Sequence, residues 1–266
     1  MRKNAYILLA ALGLASCNYL EIEPVGKVIP HKTSEYRALL TEGYSRFPYT
    51  SSKAYTGLLS DEVGMFHEGN FFDSSDAIAL SYNYTWQYET QMWEYPYQYY
   101  YRAAFQANAV IDGVADADDD SSEDKRQILG EAYAMRAYAH FDLVNLYGKP
   151  YDPQTASTDR GVPLSTYIDI EQKYRPTNVA AVYQQIVEDI EAAERTMTLE
   201  KQESPTLNYR FSLDALAAFK ARVMLYMRNW QAAYDAATGL LPKYELVDFN
   251  ASPESGDLPW KATSPE

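Results

Sequence analysis

From residue 97 onward the apolar positions recur with a helical period. Pro96 suits the first position of a helix. Tyr97, Tyr100, Tyr101, Ala104, Phe105, Asn108 and Ile111 then share one face, which predicts tyrosines in the core and Asn108 on a buried line. A buried amide must find partners, so the expected role of Asn108 is a structural hydrogen bond to neighbouring backbone. After the acidic run 115–125 a second helix is predicted over 124–147. Its inner line is Ile128, Ala132, Met135, Ala139, Leu143 and Leu146, widened by Leu129, Tyr133, Val144 and Tyr147 and ended by Gly148 and Pro150. A third helix, 178–198, carries Val179, Tyr183, Ile186, Ile190, Ala193 and Met197 on one stripe, with Thr177 or Asn178 to cap it. Ser212 caps a fourth that runs to about Met227, with Asp214 favourably placed in its first turn. Arg228 and Asn229 leave room only for a tight turn before a fifth begins at Trp230. The last two helices resemble a tetratricopeptide unit, though with only part of that repeat's pattern. The fold class predicted is all-α, a tetratricopeptide-like helical-repeat scaffold with long irregular loops.

The stretch before Pro96 has a different pattern. Residues 81–101 hold eight Tyr and two Trp. Tyr82, Tyr84, Trp86 and Tyr88 occupy every second position, followed by Trp93, so an extended segment would carry them on one face with Asn83, Thr85, Gln87 and Glu89 on the other. An aromatic face stacks on the C–H face of a sugar ring while polar neighbours bind its hydroxyls. That makes Trp86, Trp93, Tyr82 and Tyr84 candidate glycan contacts. Packing on the first helix outweighs this reading, because large aromatics are more often buried than displayed. Phe66, Phe71 and Phe72 are open to either role.

The N-terminus adds a location. Arg2 and Lys3 precede an apolar run too short to stay in a bilayer, and Leu14-Ala15-Ser16-Cys17 has the form of a lipobox. A plain signal peptide with an incidental cysteine is the competing reading. Against it, Cys17 is the single cysteine of the 266 residues and sits where lipid attachment requires it. One cysteine also rules out a disulfide within the chain. The organisation expected is a signal peptide at 1–16, an extended tether at 17–30 with Pro24, Gly26 and Pro30, and a helical domain over 31–266. Several acyl chains on Cys17 would hold the protein on a membrane surface without a spanning helix.

Net charge is −14, from 37 acidic and 23 basic residues, and loss of Arg2 and Lys3 with the signal makes it more negative. Such a chain repels nucleic acid and anionic head groups.

The run from Gly130 to Gly148, GEAYAMRAYAHFDLVNLYG, resembles the signature helix of the SusD/RagB lipoproteins of Bacteroidetes. Around it, in order, stand the lipobox with its YLEIEP tether, YRAAFQANAVID, Gly161-Val162-Pro163-Leu164, VYQQIVEDIEAAE and AFKARVMLYMRNWQAAYDAAT, so the resemblance covers nearly the whole chain. It implies a lipid-anchored outer-membrane protein facing the exterior. Such a protein acts as a lid on a SusC-like TonB-dependent barrel transporter and passes it oligosaccharides or, in some members, peptides. Members of the family usually continue for about as long again and draw much of their ligand surface from that part. The chain ends at Glu266 in a Pro/Ser/Gly/Asp-rich stretch, so partner docking is a firmer expectation than a complete binding site.

Catalytic signals are weak. His31, His67 and His140 lack the spacing of a zinc helix, and no nucleophile elbow, phosphate loop or dinucleotide glycine pattern is present. Adjacent carboxylates such as Asp61 and Glu62 do not have the facing geometry of a glycosidase. No catalytic residue and no cofactor are expected. The run Asp116–Asp124 offers oxygens that attract calcium, but it lacks the sixth-position Gly and closing Glu of an EF-hand, so a solvated loop is favoured. His140, Arg136 and Asp142 are read as packed or hydrogen-bonded structural groups. The rival to a glycan-binding function is a repeat scaffold or adhesin that holds only protein partners.

Overall fold

A computed structural model describes residues 30–45, 96–168, 171 and 173–245. Among them the chain is helical: α1 (Thr33–Ser45), α2 (Pro96–Gly113), α3 (Lys125–Tyr147), α4 (Val179–Thr196), α5 (Leu213–Tyr226) and α6 (Trp230–Thr238). Extended pairing among these residues is confined to the isolated bridges Lys32–Asp118 and Arg160–Asn178. The all-α class predicted from the periodicity is the one observed.

The ends of the helices follow from local chemistry. Asp124 accepts from the Arg126 amide at the start of α3, Asn178 from Ala181 at α4, Ser212 from Ala215 at α5 and Asn229 from Ala232 at α6. Gly148 closes α3 by donating its N–H to the Val144 carbonyl at 2.8 Å. The tight turn at Arg228 is made in the left-handed region, φ 60°, and its guanidinium reaches the Asp152 carboxylate at 3.2 Å.

Helix α3 is the axis of the fold. It packs against α1, α2, α4 and α5, and 15 of its 23 residues are buried, more than any single stripe can hold. Its alanines are the reason: Ala132, Ala134, Ala137 and Ala139 are all fully buried and let neighbours approach from several sides. At Gly130 an added Cβ would stand 2.8 Å from the Met197 backbone nitrogen, so the end of α4 crosses α3 in backbone contact. The predicted α4 stripe from Val179 to Met197 is buried throughout.

Two stripe assignments are corrected. On α2 the buried line is Tyr100, Ala103, Ala104, Ala107 and Val110, continued by Val114 in the turn that follows, whereas Tyr97 and Phe105, expected inside, are 39% and 43% exposed. Small Ala103, Ala104 and Ala107 pack α2 closely on α3, and this turns the bulkier rings outward. Tyr147, expected to widen the apolar face of α3, is 42% exposed at the last turn.

Candidate functional site

Two polar networks position the surfaces on which a ligand can act. The first ties α2, α3 and α4 to residues 163–167. Arg136 donates through Nε and Nη2 to the two Asp189 oxygens at 2.9 and 2.6 Å, and through Nη1 to Asn108 Oδ1 at 2.8 Å and the Thr166 carbonyl at 3.0 Å. Asn108 in turn donates from Nδ2 to the Ser165 and Tyr167 carbonyls at 3.2 and 3.3 Å, the backbone role its position predicts. His140 is fully buried, and the Ser165 N–H donates to its Nε2 at 3.1 Å. An N–H can only donate, so Nε2 is bare and the ring proton sits on Nδ1, which donates to the Arg136 carbonyl at 3.0 Å. Asp142 accepts from the Tyr100 hydroxyl at 2.9 Å. All three polar residues singled out on this helix are structural.

Burial, and after it the Arg136 charge, lowers the His140 pKa to about 4. The unfolded chain titrates near the ordinary value of about 6.5, so between those two values it binds a proton that the folded protein refuses. Stability is therefore expected to fall as pH drops through this window, by up to about 3 kcal/mol. His140→Gln should flatten that part of a melting-temperature profile against pH; an unchanged slope would place the proton elsewhere.

The segment fixed in this way brings four tyrosines together at the open end of α2 and α3. Tyr97 and Tyr147 meet edge to face with centroids 5.4 Å apart, and the Tyr97 N–H donates to the Tyr147 hydroxyl at 3.2 Å. Tyr101 lies 4.6 Å from Tyr97 and 6.4 Å from Tyr174, with its hydroxyl donating to the Pro163 carbonyl at 2.6 Å. Burial raises the Tyr101 pKa, so that hydroxyl stays protonated. Tyr101 is half-buried and anchors the group, while Tyr97, Tyr147 and Tyr174 are exposed. Rings that offer a face with a hydroxyl at its edge suit a ligand that is apolar on one side and hydroxylated on the other. In the sequence, Tyr97 follows the aromatic tract 82–93 after three residues.

The candidate contacts Tyr82, Tyr84, Trp86 and Trp93 lie outside the described residues, as do the lipidation candidate Cys17 and Phe66, Phe71 and Phe72. What periodicity missed is the exposure of Tyr97, Tyr147 and Tyr174. The available signal was position, since Tyr147 stands immediately before the helix-ending Gly148 and Tyr174 in a loop beside Pro176.

The second network gathers at the other end of α3. Glu131, 1% exposed, accepts from Arg37 Nη1 and Nη2 at 2.8 and 2.9 Å, from the Tyr44 hydroxyl at 3.0 Å and from Gln127 Nε2 at 3.0 Å. Its neighbour is the acidic run. There Glu123 pairs with Arg37 and Arg210, Asp119 with Lys125, and Asp120 accepts from the Ser34 N–H and hydroxyl, bonds that lower its pKa. These carboxylates face protein donors, and among the described residues no three His, Cys, Asp or Glu side chains converge on a possible metal position. No described helix is long and apolar enough to cross a membrane.

Comparison with known proteins agrees with this architecture. A SusD-like protein of Formosa agariphila is 29% identical over 248 residues, 89% of this chain and 44% of the relative. A SusD superfamily structure from Bacteroides thetaiotaomicron superposes with a TM-score of 0.63 at 22% identity, over 82% of this chain and 49% of that one. A laminarin-binding SusD-like protein gives 0.60 at 22% identity, over 77% and 42%. At these identities the two structures bear on the fold, and the chain spans less than half the length of all three. Residues 18–225 match the SusD-like family described as starch-binding and associating with the outer membrane, and the chain belongs to that family.

Proposed function

We propose that the protein is a non-catalytic, surface-held glycan-binding subunit of a nutrient importer. In this reading the chain is processed after residue 16 and lipidated at Cys17, and residues 17–30 tether the helical domain to the exterior of the outer membrane. The bound oligosaccharide passes to a SusC-like TonB-dependent transporter. The observation that carries the reading is the exposed tyrosine cluster of Tyr97, Tyr147 and Tyr174 around Tyr101; Trp86 and Trp93 precede Tyr97 in the sequence. The family's description and the laminarin-binding relative support a glucose-based oligosaccharide as the first ligand to try.

Titration with maltohexaose and laminarihexaose tests it. Trp86→Ala or Trp93→Ala is expected to weaken binding by about tenfold, on the order of 1.4 kcal/mol, at an unchanged melting temperature. A lower melting temperature with unaltered affinity would assign these side chains to packing. Absence of glycan binding, together with stable capture of a barrel partner, would favour the scaffold role instead.

A further inference from the structure

Segment 198–212, between α4 and α5, crosses the N-terminal end of α3. Gln127 pins it there: its Oε1 accepts from the Thr198 and Leu199 amides, both at 3.0 Å, and its Nε2 donates to the Phe211 carbonyl at 3.1 Å. Between this segment, α5 and residues 240–244 opens a pocket of ≈ 420 Å³. It joins a second of ≈ 360 Å³ through the shared Gln202 and Arg210. The volume falls in the range of small-molecule sites.

The lining divides by chemistry. Ala215 and Ala218, one turn apart on α5, are exposed and give the pocket an apolar floor with Leu240, and the Tyr244 ring lines it as well. The rim is polar. Gln202 donates from Nε2 to the Phe211 carbonyl at 2.9 Å, which leaves its Oε1 open. Arg210 commits Nε to the Tyr209 hydroxyl and Nη1 to Glu123, which leaves Nη2 open. The Asn208 side-chain amide lines the pocket and makes no hydrogen bond among the described residues. One charge of the lining is paired, and one lies on the aromatic ring: Lys201 Nζ stands 5.4 Å from the centre of Tyr244. Asp214 accepts from Lys243 at 2.8 Å and from the Tyr244 hydroxyl at 2.9 Å, and its pKa is lowered despite the opposing effect of burial.

The open groups are thus amides, one guanidinium nitrogen and the Lys201 ammonium, donors and acceptors side by side around an apolar surface. Hydroxyls, which donate and accept at once, fit that mixture, and a ring with an apolar face fits the floor. The net charge of −14, with Asp214 on this pocket and Glu203 and Glu123 on its neighbour, favours a neutral ligand over an anion, while Lys201 and Arg210 supply donors to hydroxyls. Gln127 and Tyr147 stand twenty residues apart on α3, so the end of α3 crossed by segment 198–212 lies about 30 Å from the end that carries Tyr147.

We propose that this pocket is a second glycan-binding site, which takes one sugar residue of a neutral oligosaccharide against Ala215, Ala218 and Tyr244 and holds its hydroxyls with Asn208, Gln202 and Arg210. The proposal rests on the glycan-binding reading above. Calorimetric titration of the full chain in detergent with maltohexaose and laminarihexaose tests it on two variants. Ala218→Trp fills the pocket from its exposed floor, and Asn208→Ala removes an amide that supports nothing else. Each is expected to lower the number of hexaose molecules bound per chain by one at an unchanged melting temperature, while Trp86→Ala leaves that pocket's share intact. If both variants bind as the wild type does, the pocket is not a glycan site although the protein still binds glycan. If the wild type binds neither hexaose, the pocket proposal and the glycan reading fall together.

Discussion

Arg136→Met is expected to destabilise the protein by about 3–5 kcal/mol, read as a lower denaturation midpoint at an unchanged slope. The side chains of Arg136 and Asp189 are only 6% and 3% exposed, and two parallel N–H···O bonds join them. The same guanidinium holds Asn108 and the Thr166 carbonyl and lies 5.5 Å from the centre of the Tyr133 ring. Its removal leaves Asp189 buried with Gln185 Nε2, at 3.0 Å, as its remaining donor. Burial already raises the Asp189 pKa, against the attraction of Arg136. Taking up a proton in the variant would soften the loss without cancelling it.

The double variant Arg136→Met/Asp189→Leu separates the ion pair from the packing around it. Desolvation of two charges offsets much of their attraction, so removing both costs less than stranding one. The double variant is expected to regain more than half of the loss, short of full recovery because Asn108 and the Thr166 carbonyl each lose a partner worth about 1 kcal/mol. A double variant as unstable as the sum of the singles would show that the two residues act independently, contrary to their geometry.

The division between what periodicity reveals and what it hides follows from side-chain size and sequence distance. Helices α3 and α4 were readable to within a residue or two because Asp124, Asn178 and Gly148 mark their ends and burial of α4 follows one stripe. Helix α2 was readable as a helix but not in its rotation, since three alanines outweigh the tyrosines in choosing the contact face. His140, Arg136 and Asp142 were legible as structural groups because polar residues in so apolar a helix need partners. The identity of those partners was not, as Asp189 is 53 and Ser165 25 residues away. The same holds for Arg37 and Glu131, 94 residues apart. For the proposed binding surface, composition points to the aromatic tract, whereas Tyr147, Tyr174 and the Asn208 pocket are assembled by the fold from residues with no shared pattern.

Glu131→Gln is expected to cost a similar amount, about 3–5 kcal/mol, and to do so from one end of the molecule. Four donors converge on this carboxylate from α1, α3 and, through Tyr44, the segment before α5. The Tyr44 hydroxyl accepts from the Phe211 N–H at 3.0 Å and donates to Glu131; burial and then the Glu131 charge push its pKa well above the usual value, against the Phe211 bond. An amide in place of the carboxylate turns one acceptor into an NH2 that meets these donors head on. It leaves Arg37 with Glu123 as its one carboxylate partner, whose side chain is 34% exposed and shared with Arg210. Helix α1 keeps its backbone ties to Asp118, so it should loosen without detaching. Hydrogen exchange resolves the effect. The Phe211 amide and the amides of α1 are expected to lose more protection than the Ser165 amide, which belongs to the Arg136 network at the far end. Because Gln202 and Arg210 belong to the loosened segment, the pocket beside α5 should lose affinity along with that protection. Equal loss of protection at Phe211 and Ser165 would mean that the fold opens only as a whole, and that Glu131 secures no local latch.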